Sequence, residues 1–109
     1  MVKSESFGDH IRKSRTEKQL PLRKVAAFLD IDQAILSKIE RGKRIANRRQ
    51  VQQLAGFFGL ETEHLLEPWL SDKLVRELDG GEKPLRILRV AEEKVRYRTT
   101  HGLAHTDIT

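Results

Sequence analysis

The chain has no cysteine. Disulfides are excluded, and with them any thiolate nucleophile or cysteine-based metal site. That composition is compatible with a reducing compartment. No apolar run approaches the roughly 20 residues that span a bilayer. The opening MVKSESFGDH lacks the apolar centre of a signal peptide. A soluble cytoplasmic protein with no membrane partner is expected. A phosphate-cradling glycine loop is also missing, since Gly80-Gly81 has neither the lysine nor the strand that such a loop needs. The histidines His10, His64, His101 and His105 show no metal-ligand spacing with carboxylates. His101 and His105 are four apart, but glycine and threonine around them argue against a helix there. Glu61, Glu63, Glu92 and Glu93 read as exposed charges, and no Ser/His/Asp arrangement is supported. The expectation is no enzyme, no catalytic residue, no cofactor and no metal.

What remains is a small, charged, basic chain. Its 109 residues are 38% hydrophobic and 34% charged. That suffices for one modest core with appendages. The net charge of +5 is unevenly spread. Residues 1–60 carry 13 Lys/Arg against 6 Asp/Glu, whereas residues 61–109 carry 8 against 10. A basic half favours contact with phosphates through release of condensed counterions.

Apolar spacing predicts helices throughout and no convincing strand. A first helix covers about Phe7 to Lys18, with Ile11 its clearest core residue, and Gln19-Leu20-Pro21 ends it. A second runs from Leu22 to Leu29, with Leu22, Val25, Ala26 and Leu29 on one face. After the turn Asp30-Ile31-Asp32, a third runs from Gln33 to Arg41. Asp32 is its expected cap, through a carboxylate that accepts free first-turn amides. Gly42 stops it. A fourth, capped by Asn47, runs from Arg48 to Phe58 with Val51, Leu54, Ala55 and Phe58 inward, and stops at Gly59. A fifth begins at a Thr62 cap and carries Leu65 and Leu66. Pro68 should bend or restart the chain before the stripe Trp69, Leu70, Leu74, Val75 and Leu78. Asp79-Gly80-Gly81 is the strongest breaker. A last helix, about Pro84 to Arg98, presents Leu85, Leu88, Ala91/Glu92 and Val95, with Ile87, Val90 and Lys94 beside them. The tail from residue 100 to 109 has no period and is expected to be frayed.

The stretch LRKVAAFLDIDQAILSKIERGKR is the most telling part. Two short helices joined by a turn of about three residues form a helix-turn-helix, whose second helix lies in the DNA major groove. In the second helix Ile35, Leu36 and Ile39 face inward, and Gln33, Ala34, Ser37 and Lys38 face outward. Arg48 and Arg49 stand at a helix N-terminus, where the helix dipole disfavours cations by about 0.3–1 kcal/mol each. An anionic partner nearby would explain that placement.

With IRKSR in the first helix, LRKVAAFLDI in the second, SKIERGKR leaving the third and VQQLAGFFGL in the fourth, the chain from Phe7 to about Leu66 resembles the Xre-like family, the phage-repressor and Cro type. The resemblance implies an all-α fold, a compact bundle of about five helices. It implies base contacts from Gln33, Ala34, Ser37 and Lys38, with Gln33 suited to adenine, Lys38 to guanine and Ala34 to a thymine methyl. It implies that Arg41, Lys43 and Arg44 meet the DNA backbone or minor groove, and the dipole argument adds Arg48 and Arg49 to that set. Arg15 and Glu40 look like the pair that ties the first helix to the third in this family. One departure is Asp30, where the family commonly has glycine; aspartate tolerates left-handed geometry better than most residues.

The resemblance accounts for residues 1–67 as a DNA-binding domain. Residues 68–99 would then be C-terminal helices used for dimerisation, with residues 100–109 a flexible tail. The expected interface is Trp69, Leu74, Leu78, Leu85, Leu88 and Val95, although Trp69 most simply packs as a core residue of its stripe. The resulting expectation is a homodimeric transcriptional repressor on an inverted-repeat operator, of the autoregulatory phage or restriction–modification controller type. The alternative is an antitoxin whose C-terminal part covers a toxin protein and which also binds its own operator.

Overall fold

The computed structural model describes residues 5–101. Those residues form six helices: α1 (Phe7–Glu17), α2 (Leu22–Leu29), α3 (Gln33–Glu40), α4 (Arg48–Phe58), α5 (Thr62–Leu78) and α6 (Pro84–Thr100). The expected tail falls, beyond His101, outside the described residues. The short-range stop signals decide where α1 to α4 end. Each closes in a Schellman motif: a left-handed residue, with the next amide bonding back to a carbonyl five residues earlier. The bonds are Leu20 to Arg15, Ile31 to Ala26, Lys43 to Lys38 and Leu60 to Ala55, at 2.8–3.0 Å. The left-handed residues are Gln19, Asp30, Gly42 and Gly59. Asp30 takes the conformation in which the family pattern prefers glycine, with φ 57° and ψ 47°. Gln19 was not foreseen, because glutamine has no special ease there.

The helix starts are more varied. The Ser6 hydroxyl accepts the Asp9 amide, and the Asp9 carboxylate accepts the Ser6 amide, both at 3.1 Å. Asn47 and Gln50 make the same reciprocal box at α4, at 2.8 and 2.9 Å. Asp32 precedes α3 in extended geometry, but its side chain makes no capping bond. Its backbone carbonyl accepts the Ile35 and Leu36 amides instead. Thr62 is the first residue of α5 rather than the one before it.

The core assembles as the apolar spacings require. Ile11, Val25, Leu36, Val51, Leu54 and Leu65 are fully buried. Each contributes about 1.5–3 kcal/mol by leaving water. α1 lies against α3 so closely that Gly8 has no room for a side chain. A Cβ there would meet the backbone carbonyls of Glu40 and, at 2.6 Å, of Ile39.

Pro68 neither bends nor restarts the chain. α5 runs unbroken through it. An interior proline costs a helix about 3 kcal/mol. Here Leu65, Pro68 and Trp69, at i, i+3 and i+4, are all buried, and their packing outweighs the lost bond. Trp69 is 3% exposed, so it belongs to the core and offers no dimer surface. The chain divides into two compact units between Arg76 and Glu77, and Trp69, Asp72 and Arg76 all bond back to the bundle. In the second unit, α6 begins with Pro84 at its first turn, as expected, and none of its residues is buried.

The close approach at Gly8 sets a paired test. Gly8→Ala lowers the unfolding free energy by about 1–3 kcal/mol through forced backbone separation. Gly56→Ala, on α4 where a Cβ meets nothing, raises it by about 0.5–1 kcal/mol. Urea denaturation of the two variants reads both signs.

Candidate nucleic-acid interface

α3 carries the expected outward row. Gln33, Ala34 and Lys38 are exposed and Ser37 is half-buried, while Leu36 and Ile39 are buried beneath them. A helix with one face in the core and a polar face outward is what a major-groove reader requires. Arg41, Lys43 and Arg44 follow at once, all exposed. The turn at Gly42, with φ 75°, delivers them. A side chain there would be strained whatever the space around it.

The inner side of α3 is tied to α1. The Arg15 guanidinium grips the Glu40 carboxylate in bidentate fashion, Nε to Oε2 at 2.7 Å and Nη2 to Oε1 at 3.0 Å. Its third nitrogen donates to the Leu20 carbonyl at 2.9 Å. Glu40 is the buried charged residue of the core. Its hydrogen bonds raise the Arg15 pKa above the ordinary arginine value, against the opposing effect of burial. A raised folded-state pKa means that this contribution is fully present below the guanidinium's ordinary pKa. It is lost only in strong alkali.

The loop between α3 and α4 is held from α5. The Trp69 indole N–H donates to the Ala46 carbonyl at 2.8 Å, and the Arg76 guanidinium donates to the Gly42 carbonyl at 2.9 Å. The two bonds fix both ends of the segment that presents Lys43 and Arg44. Lys73 lies over the Trp69 ring at 4.4 Å, and Arg48 over the same ring at 5.1 Å. Cation–π attraction gives Arg48 a local reason to stand at a helix N-terminus. Arg49 is exposed beside it. Sequence reasoning missed Trp69, Lys73 and Arg76 as supports of this loop. Their i, i+4, i+7 spacing places them on one helix face, but only if α5 is continuous through Pro68.

Of the other residues expected to serve an interface, Leu74, Leu85, Leu88 and Val95 are exposed and Leu78 is half-buried. No helix of the described residues is long and apolar enough to cross a membrane.

The ion pair makes its own prediction. Glu40→Ala strands the Arg15 charge and lowers the unfolding free energy by about 3 kcal/mol. Replacing both residues with methionine lowers it less. Chemical denaturation of the single and double variants distinguishes the two cases; an equal or greater loss in the double variant would contradict a coupled pair.

No curated protein matches the chain. A family model described as Helix-turn-helix matches residues 11–65, which run from the middle of α1 into α5. With the exposed face of α3 and the basic loop after it, that match covers the elements on which DNA recognition depends: the chain belongs to the Xre/Cro-type helix-turn-helix family of DNA-binding transcriptional regulators.

Proposed function

We propose that the protein is a dimeric, sequence-specific repressor that occludes a promoter, including that of its own gene, by binding an inverted-repeat operator. The observation that carries this reading is the exposed row Gln33, Ala34 and Lys38 over the buried Leu36 and Ile39. Gln33 offers its amide to adenine, Lys38 its ammonium to guanine O6 and N7, and Ala34 its methyl to thymine. Ser37 adds a hydroxyl at the edge of the same face. Arg41, Lys43, Arg44 and Arg49 supply backbone contacts that set register without reading sequence.

Dimerisation is assigned to the C-terminal residues. A single recognition helix reads only a few base pairs, and a two-fold pair doubles the readout. Leu85 is 74% exposed, and Leu88 and Val95 on the same side of α6 are also exposed. Burying such a stripe against its symmetry mate removes apolar surface from water on both copies.

Selection of bound sites from random duplexes tests the reading. The expected result is an inverted repeat with half-sites roughly 10 base pairs apart. Weak, salt-sensitive binding with no enriched motif would remove it. Lys38→Ala should weaken binding by about 1–3 kcal/mol and relax preference at one base position. Arg44→Ala should weaken all sequences evenly and lower the salt slope by roughly one. Equal loss on every sequence after Lys38→Ala contradicts its role as a base reader. Truncation after Leu78 should leave a monomer at micromolar concentration, read by sedimentation; a truncated chain that stays dimeric rules out the C-terminal interface.

A further inference from the structure

α6 carries more apolar surface than one partner covers. Leu85, Leu88 and Val95 form one stripe. At 3.6 residues per turn, Ile87, Val90 and Tyr97 form a second on nearly the opposite side. All six are exposed. An amphipathic helix with a single partner shows one stripe. Arg86 and Lys94 fall in or beside the sector of the second.

The bundle has an uncovered apolar corner of matching character. α2 and α4 end side by side, where the Phe28 and Phe57 rings pack with centroids 4.5 Å apart. Phe57 in turn meets the buried Phe58 edge-on at 5.3 Å. Phe28 is nevertheless 45% exposed, and Leu60 is exposed with it. Ile31 and Phe57 are half-buried. The rim of this corner is anionic. Exposed Asp30 directly follows α2, exposed Glu61 lies three residues past the end of α4, and both helices point their negative poles here. Gln50 to Asp72 contains no lysine or arginine, in a chain that has 21, and on α2 the nearest cation is Lys24, one turn before Phe28.

We propose that the Ile87–Val90–Tyr97 stripe of one copy docks on the Phe28–Phe57 corner of a second copy, with Arg86 and Lys94 against Asp30 and Glu61. The exchange is reciprocal in a two-fold dimer. It rests on the dimeric reading above and says where the second side of α6 goes. Apolar contact supplies the attraction, and Arg86 and Lys94 give the stripe a charge complement to the corner.

The absence of native cysteine makes the test clean. Phe28→Cys and Val90→Cys are prepared separately, one with a mass tag, and each is checked for helicity. They are then mixed and mildly oxidised. The expected product is a tagged–untagged disulfide dimer, formed at least several-fold faster than with Lys13→Cys in place of Phe28→Cys. Leu60→Cys repeats the measurement at the same corner should Phe28→Cys fold poorly. Asp30→Lys with Glu61→Lys should cut the cross-linking rate several-fold. Lack of the mixed product, while Val95→Cys still cross-links to itself and the protein sediments as a dimer, overturns the docking and leaves dimerisation intact. A bond that forms only within one chain carrying both substitutions also overturns it. Sedimentation of the unsubstituted protein as a monomer removes both readings.

Discussion

A recognition helix of eight residues cannot hold itself. Isolated helices shorter than about 12–15 residues are marginal in water, so α3 must be fixed by what touches its inner side. The Arg15–Glu40 fork does this by chemistry, with two short bonds across a partly buried gap. Gly8 does it by shape, letting the first turn of α1 rest on the last carbonyls of α3. With α3 set against α1, its outward row and the turn at Gly42 acquire fixed directions. The charges that follow are then positioned by α5, which holds the loop at two carbonyls. Together these supports set the direction of the helix, and direction is what a groove reader depends on.

The first four helices were legible from spacing and punctuation alone. Val25, Ala26 and Leu29, then Leu36 and Ile39, then Val51, Leu54, Ala55 and Phe58 are inward where the sequence places them. Gly42 and Gly59 stop helices as glycine does. What could not be read was tertiary. Nothing local marks Gln19 as left-handed; it takes that conformation in a turn whose Leu20 carbonyl is held by Arg15. Pro68 is a correct local warning overridden by packing, because Trp69 and Leu65 bury the same face. That override hid α5 as one element and hid its role in holding the basic loop. Asp32 stands where a cap belongs, yet its carboxylate makes no capping bond. On the candidate site, the outward row of α3 was legible residue by residue, whereas its supports were not.

Charge is organised as much as hydrophobicity is. Cations gather after α3 and at the start of α4, while the ends of α2 and α4 are free of them. Clustered cations raise the rate of productive encounter with a polyanion. Trp69 links the two themes, since one ring is at once core, hydrogen-bond donor and platform for two cations.

The repeated closure of α1 to α4 has a kinetic consequence. Each stop is written within six consecutive residues, so helix length is settled before any distant segment arrives. Little loop-closure entropy stands between the unfolded chain and correctly bounded helices. Chains dominated by such near-neighbour contacts cross their folding barrier in microseconds to milliseconds. The barrier that remains is the docking of finished helices, and the slowest partner to place is the one whose contacts span the longest stretch of chain: α5, through Asp72 to the first amide of α1.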